Sequence, residues 1–126
     1  TELATDLANN TVASYNFITP NLIDDMHDGT IAQGDTWLAT HVPVILNSAA
    51  YKQGGVIFIT WDEGEGGDGP IGMIVLSPKA KVGYQNSIHY DHSSTLRTVE
   101  EILKVSPMLG GAANQTDLSD LFTSFP

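Results

Sequence analysis

Cysteine is absent from this chain of 126 residues. Its absence excludes a disulfide framework and any thiolate metal site, zinc held by sulfur included, and leaves the redox compartment unmarked. Basic residues are scarce, with five Lys and Arg against fifteen Asp and Glu and a formal charge of −10. Such a surface is repelled by a nucleic-acid backbone or an anionic membrane, so no nucleic-acid backbone binding is expected and cations are the natural guests. No apolar run approaches the roughly 20 residues of a membrane span, which predicts a soluble chain without one. Internal repeats, linkers and low-complexity segments are also missing. Against these absences stands an apolar content of 41%, enough for the core of one ordinary domain.

The acids are unevenly placed. Asp24, Asp25 and Asp28 form one cluster, and Asp62, Glu63, Glu65 and Asp68 form another. The second lies in GGVIFITWDEGEGGDG, where Val56, Ile57, Phe58 and Ile59 are apolar without alternation, the pattern of a strand covered on both faces in a parallel sheet. Asp62 and Glu63 then fall just past the carboxyl end of that strand, where α/β proteins place chemistry. Two adjacent carboxylates in a partly buried position repel each other unless a cation or a shared proton compensates them. Their oxygens suit Mg²⁺, Mn²⁺ or Ca²⁺, and carboxylates also bind Zn²⁺ and Fe. An exposed acidic turn that keeps the protein soluble is the plain alternative. A calcium loop of the helix-loop-helix kind is disfavoured, because the twelve-residue pattern with a closing Glu is not met.

Helical and strand signals alternate along the chain and predict an α/β fold. Glu2 to Ala8 is weakly helical, in a segment that reads as the end of a helix, so further polypeptide is expected upstream of Thr1. Tyr15, Phe17 and Ile18 read as a short extended piece ended by Pro20. Asp35 is the expected N-cap of a helix carrying Trp37, Leu38, Val42, Ile45 and Leu46, bent or divided at Pro43. Val56 to Trp61 is the expected central strand and Ile71 to Leu76 a second buried strand. The clearest helix carries Leu96, Val99, Ile102 and Leu103 at helical spacing, with Ser93 or Ser94 as its cap and its apolar stripe expected on the sheet. Leu118 to Phe122 forms a short amphipathic piece near the end.

Histidines mark two further constellations. In Asp24-Asp25-Met26-His27-Asp28-Gly29 an imidazole sits among carboxylates, which favours its protonated, anion-binding form, whereas a neutral ring is a metal ligand. A solvent-exposed ring beside a capped turn is the alternative. In His89-Tyr90-Asp91-His92-Ser93-Ser94 the histidines precede the clearest helix, whose amino terminus offers N–H groups and positive potential to an anion. The hydroxyls at 93 to 95 are explained by capping, since the chain has no G-x-S-x-G elbow. His41, within the helix ahead of the central strand, reads as structural.

PNLIDDMHDG, GDTWL, GGVIFITWDEGEGG and HYDHSSTLRTVEEIL occur in one order and at the general spacing seen in a known family. From about Phe17 to Leu103 the chain resembles the carboxyl-terminal part of the bacterial and fungal phosphoesterase family, which includes acid phosphatases and non-hemolytic-type phospholipases C and belongs to the alkaline phosphatase superfamily. The resemblance implies a three-layer α/β/α sandwich on a mostly parallel sheet and metal-dependent hydrolysis of phosphate esters. Carried over residue by residue, it makes Asp62 and Glu63 the acidic metal-site pair, with Asp24 a lesser candidate. His27 and His92 become catalytic and substrate-binding contacts to metal or phosphate. The implied cofactor is a divalent ion, Mg, Mn, Ca, Zn or Fe, and the implied partner a phosphate-ester small molecule or lipid headgroup. The resemblance also implies a secreted or periplasmic location.

Full members of that family carry an amino-terminal half with a Glu-Asn metal motif and a Ser or Thr nucleophile, neither of which is recognisable upstream of Tyr15. Residues 1–126 are therefore expected to be a single domain or the C-terminal fragment of a larger phosphoesterase domain. The missing N-terminal part of the same protein is then the expected partner, and the isolated chain is expected to be inactive. The competing reading is a non-catalytic acidic module binding Ca²⁺, or an inactive proteolytic fragment.

Overall fold

The computed structural model describes residues 1–67 and 69–125; Asp68, part of the second acidic cluster, lies outside the described residues. The chain divides into two compact units, Thr1–Gly55 and Val56–Pro126.

The first unit is helical. Helix α1 (Glu2–Asn9) begins at Thr1, whose hydroxyl accepts from the Ala4 amide, and ends at Asn10 in the left-handed region. That ending suits Asn, whose short polar side chain tolerates positive φ. Helix α2 (Ile31–Leu46) starts earlier than the sequence suggested, because Thr30, not Asp35, is its cap. Thr30 accepts from the Gln33 amide while the Gln33 side chain returns to the Thr30 backbone, a reciprocal box that satisfies two otherwise orphaned donors. Pro43 lies inside α2 without ending it. The chain breaks at Ser48, which caps the four-residue helix α3 (Ala49–Lys52). The expected extended piece at Tyr15–Ile18 is not a strand, and Phe17 is 82% exposed.

The second unit holds both expected strands, β1 (Ile57–Thr60) and β2 (Met73–Leu76), and helix α4 (His92–Leu103). The α/β class therefore stands, but the strands pair antiparallel, with Ile57 opposite Leu76 and Thr60 opposite Met73. Neither a parallel pair nor a three-layer sandwich is seen among the described residues. The connection explains the sense of pairing. A parallel return needs a crossover, usually a helix, whereas the connection between the strands is rich in glycine and its described residues contain no helix. The Thr60 hydroxyl donates to the Gly72 carbonyl at 2.9 Å and closes the base of this loop. The strands are also less covered than expected: all of their residues are at least partly accessible, and Ile74 is exposed.

Helix α4 corrects two further expectations. Its cap is Asp91, not Ser93 or Ser94, and Ser94 is the reciprocal partner in the capping box. Its buried residues are Ser94, Thr98 and Glu100, while Leu96 and Leu103 of the apolar stripe are exposed. The carboxyl-terminal segment covers this polar face and bonds part of it, while Glu100 Oε2 stays buried with no hydrogen-bond partner among the described residues. Thr98 accepts from the Leu118 amide at 2.9 Å, and Glu100 accepts from the Leu109 amide at 3.0 Å. Arg97 donates to the carbonyls of Ala113 and Gln115 and pairs with Glu101. Around these bonds Ala112, Leu118 and Phe122 form the apolar core of the unit. Among the described residues no helix is long and apolar enough to cross a membrane.

Candidate active site

Asp62 and Glu63 fall two and three residues beyond the end of β1, the position read from the sequence, and both are exposed. Past them the chain turns through positive φ at Gly66 and Gly67, a conformation glycine adopts without steric cost. The segment is tied down from the start of α4: His92 Nε2 lies 2.6 Å from the backbone carbonyl oxygen of Asp62. A carbonyl only accepts, so Nε2 carries the proton, and in the neutral ring the lone pair lies on Nδ1. Two of the four sequence motifs, thirty residues apart, are thereby joined through one imidazole.

The start of α4 is less open to an anion than the sequence suggested. The Asp91 carboxylate already accepts the Ser94 amide at 2.9 Å and places a negative charge where a phosphate oxygen would rest. Ser94 and Thr98 are not poised nucleophiles, since both are buried and Thr98 is committed to Ser94 O and the Leu118 amide.

The other predicted residues belong to the first unit. Asn21 shapes their loop, its side-chain oxygen accepting the amides of Ile23 and Asp24 and its amide donating to Asp24 Oδ2 at 2.8 Å. His27 Nδ1 sits 2.9 Å from Asp28 Oδ1, and its backbone amide donates to Asp25 Oδ1, so both neighbouring acids hold this histidine. Met26 takes a positive φ of 78° within the same turn. The loop seats on α2 at Gly34, where an added Cβ would lie 2.5 Å from Met26 Cγ. Asp24 also lines a shallow groove of about 310 Å³ with Gln33, Thr36, Trp37, Thr40 and His41. Here His41 packs its ring on Trp37, centroids 4.5 Å apart, in keeping with the structural reading.

A second polar cluster escaped the sequence reading. Asp120 Oδ2 accepts the Tyr84 hydroxyl at 2.6 Å and the Asn86 amide at 2.8 Å, and Oδ1 faces Lys81 Nζ at 3.3 Å. The Tyr84 and Asn86 hydrogen bonds hold the Asp120 carboxyl below its ordinary pKa, and the same carboxylate raises that of Tyr84. No local pattern announces the cluster, because Asp120 lies 34 to 39 residues from its partners.

Asp62 and Glu63 offer the oxygen donors that hard divalent cations take, and His92 lies beside them. Among the described residues, however, no three His, Cys, Asp or Glu side chains converge as a metal-binding group. These side chains do not by themselves close a metal site.

The chain belongs to the phosphoesterase family, whose model matches residues 1–106. It is 33% identical to the phosphatidylinositol-3-phosphatase of Mycobacterium tuberculosis, over 86% of this chain and 36% of that relative. It is 31% identical to a probable acid phosphatase of Kluyveromyces lactis, over 75% of this chain and 24% of the relative, and 31% identical to an acid phosphatase of Aspergillus fumigatus, over 79% and 23%. The chain thus spans about a third or less of the length of the curated relatives it matches. No solved structure matches it.

Proposed function

We propose that this chain is part of a hydrolase of phosphate esters and contributes the acidic pair Asp62 and Glu63 together with His92 to its active site. The observation that carries the reading is the 2.6 Å contact between His92 Nε2 and the Asp62 carbonyl, which fixes the acidic segment against the start of α4. Family membership supplies the reaction class. The relatives named acid phosphatase and phosphatidylinositol-3-phosphatase point to a phosphate monoester, free or on a lipid headgroup, as the substrate.

In this reading His92 keeps its Nε2 proton on the Asp62 backbone and orients the segment, leaving Nδ1 as its second functional atom. Asp62 and Glu63 are the second unit's contribution to a divalent cation site completed by groups outside that unit. A bound cation neutralises charge on the phosphate oxygens. The nucleophile is expected from polypeptide not represented in this chain. The complete protein is then a hydrolase of the α/β class, and the family resemblance favours a secreted or periplasmic one.

The test uses the complete protein with a chromogenic phosphate monoester, before and after chelation and with Mg²⁺, Mn²⁺, Ca²⁺ or Zn²⁺ restored. Turnover should vanish on chelation, return with a metal, and fall by at least about a hundredfold in Asp62→Ala, as for loss of a group that stabilises transition-state charge. Near-normal turnover in that variant removes Asp62 from the chemistry.

A further inference from the structure

The carboxyl-terminal segment around Asp120 lies beyond residue 106, where the family match stops. It is nevertheless joined to the loop that carries His89, Tyr90, Asp91 and His92. Lys81 N donates to Leu121 O, Thr123 N donates to Lys79 O, and Ala80 bridges Phe122, so residues 79–81 and 121–123 run as a short antiparallel pair. Phe122 anchors that pair with only 4% of its surface exposed. From this fixed base Asp120 reaches Lys81, Tyr84 and Asn86, and Lys81 also lies 4.4 Å over the Tyr84 ring.

Asn86 carries the connection onward. Its amide donates one hydrogen to Asp120 and approaches the Tyr90 hydroxyl at 3.3 Å, and its oxygen accepts the Ile88 amide at 3.1 Å. An amide with both donors and its acceptor engaged has one orientation, and the backbone around it is fixed accordingly. Tyr90 is followed by Asp91, which caps α4, and by His92, which holds the Asp62 carbonyl. Apart from these bonds, residues 82–89 are a largely exposed stretch with no regular secondary structure, Val82 being fully exposed.

We propose that Asp120 is a positioning residue, whose carboxylate clamps loop 82–90 through Tyr84 and Asn86 and so sets the placement of His92 against the acidic segment. This role extends the functional reading above but does not depend on it, because the clamp is a property of the second unit alone. The carboxylate is partly exposed, so its replacement leaves the apolar core of Ala112, Leu118 and Phe122 in place.

The experiment compares the chain with its Asp120→Ala and Tyr84→Phe variants by amide hydrogen exchange and by the imidazole nitrogen resonances of His92. In Asp120→Ala the Ile88 and Asp91 amides, which donate to Asn86 Oδ1 and Ser94 Oγ, should exchange at least tenfold faster and the His92 resonances should shift, while amides 95–102 of α4 keep their protection. Tyr84→Phe should give a smaller change of the same kind, and Asp120→Asn, which retains one acceptor oxygen, should restore part of the protection. Unchanged exchange at Ile88 and Asp91 overturns the clamp, as does a uniform acceleration over the whole unit in both variants, which marks a general stability role. In the complete enzyme Asp120→Ala should lower kcat about tenfold with KM within twofold. If the parent protein has no phosphatase activity the functional reading fails, and the exchange result still decides the clamp.

Discussion

At Gly29 there is no room for a single methyl group. A Cβ there would sit 1.9 Å from the carbonyl oxygen of Ile23 and 2.8 Å from its carbonyl carbon, both rigid backbone atoms. Gly29→Ala must therefore open the turn that carries Asp24 and His27, and it should destabilise the first unit by about 2 kcal/mol or more, read as a fall in the denaturation midpoint. Asp117 gives a prediction in pH. The Ser119 hydroxyl, ahead of the Ser119 amide and Arg97, lowers its carboxyl from the ordinary 3.8 despite an opposing effect of burial. A carboxyl depressed in the folded state adds stability above its unfolded pKa and loses it as pH falls through the folded value. Asp117→Asn should thus cost up to about 1 kcal/mol at neutral pH. The difference between variant and parent should shrink as the pH drops below 3.8, in thermal melts of the two proteins.

At the scale of elements, the sequence spoke clearly where the signal is local and failed where a partner decides. Both strands and α4 were legible because apolar runs and helical spacing are properties of a few neighbouring residues. The acidic pair at the end of β1 was legible for the same reason. The sense of strand pairing was misread, although the cue was present: the described residues of the glycine-rich connection between the strands include no helix to carry a parallel crossover. The buried face of α4 was misread because Ser94, Thr98 and Glu100 look like solvent residues until the amides of Leu109 and Leu118 arrive from the carboxyl-terminal segment and bond Glu100 Oε1 and Thr98. The caps at Thr30 and Asp91 were missed in favour of nearby candidates, each being displaced by a residue whose partner three positions on completes a reciprocal box. The Asp120 clamp had no local signal at all, since its bonds join segments more than thirty residues apart.

For the molecule as a whole, the charge of −10 and the absence of a convergent ligand group among the described residues act in opposite directions on cation binding. Surplus carboxylates repel one another, so any salt stabilises the chain by screening, over a Debye length of about 10 Å at 0.1 M ionic strength. A specific site adds a further term that depends on ligand concentration relative to its dissociation constant and not on ionic strength. Asp62 and Glu63 are adjacent in sequence and exposed, and the described side chains supply no converging third ligand. The melting temperature of the 126-residue chain should therefore rise with Ca²⁺ or Mg²⁺ by no more than NaCl produces at equal ionic strength, in parallel thermal melts. On the proposed reading, a longer protein that carries the remaining ligands should be stabilised by the divalent ion well beyond the salt control. A strong Ca²⁺-specific rise in the isolated chain would reverse the order of the two readings, because it would make residues 1–126 a self-sufficient cation-binding module and remove the need for any contribution from outside to the acidic pair.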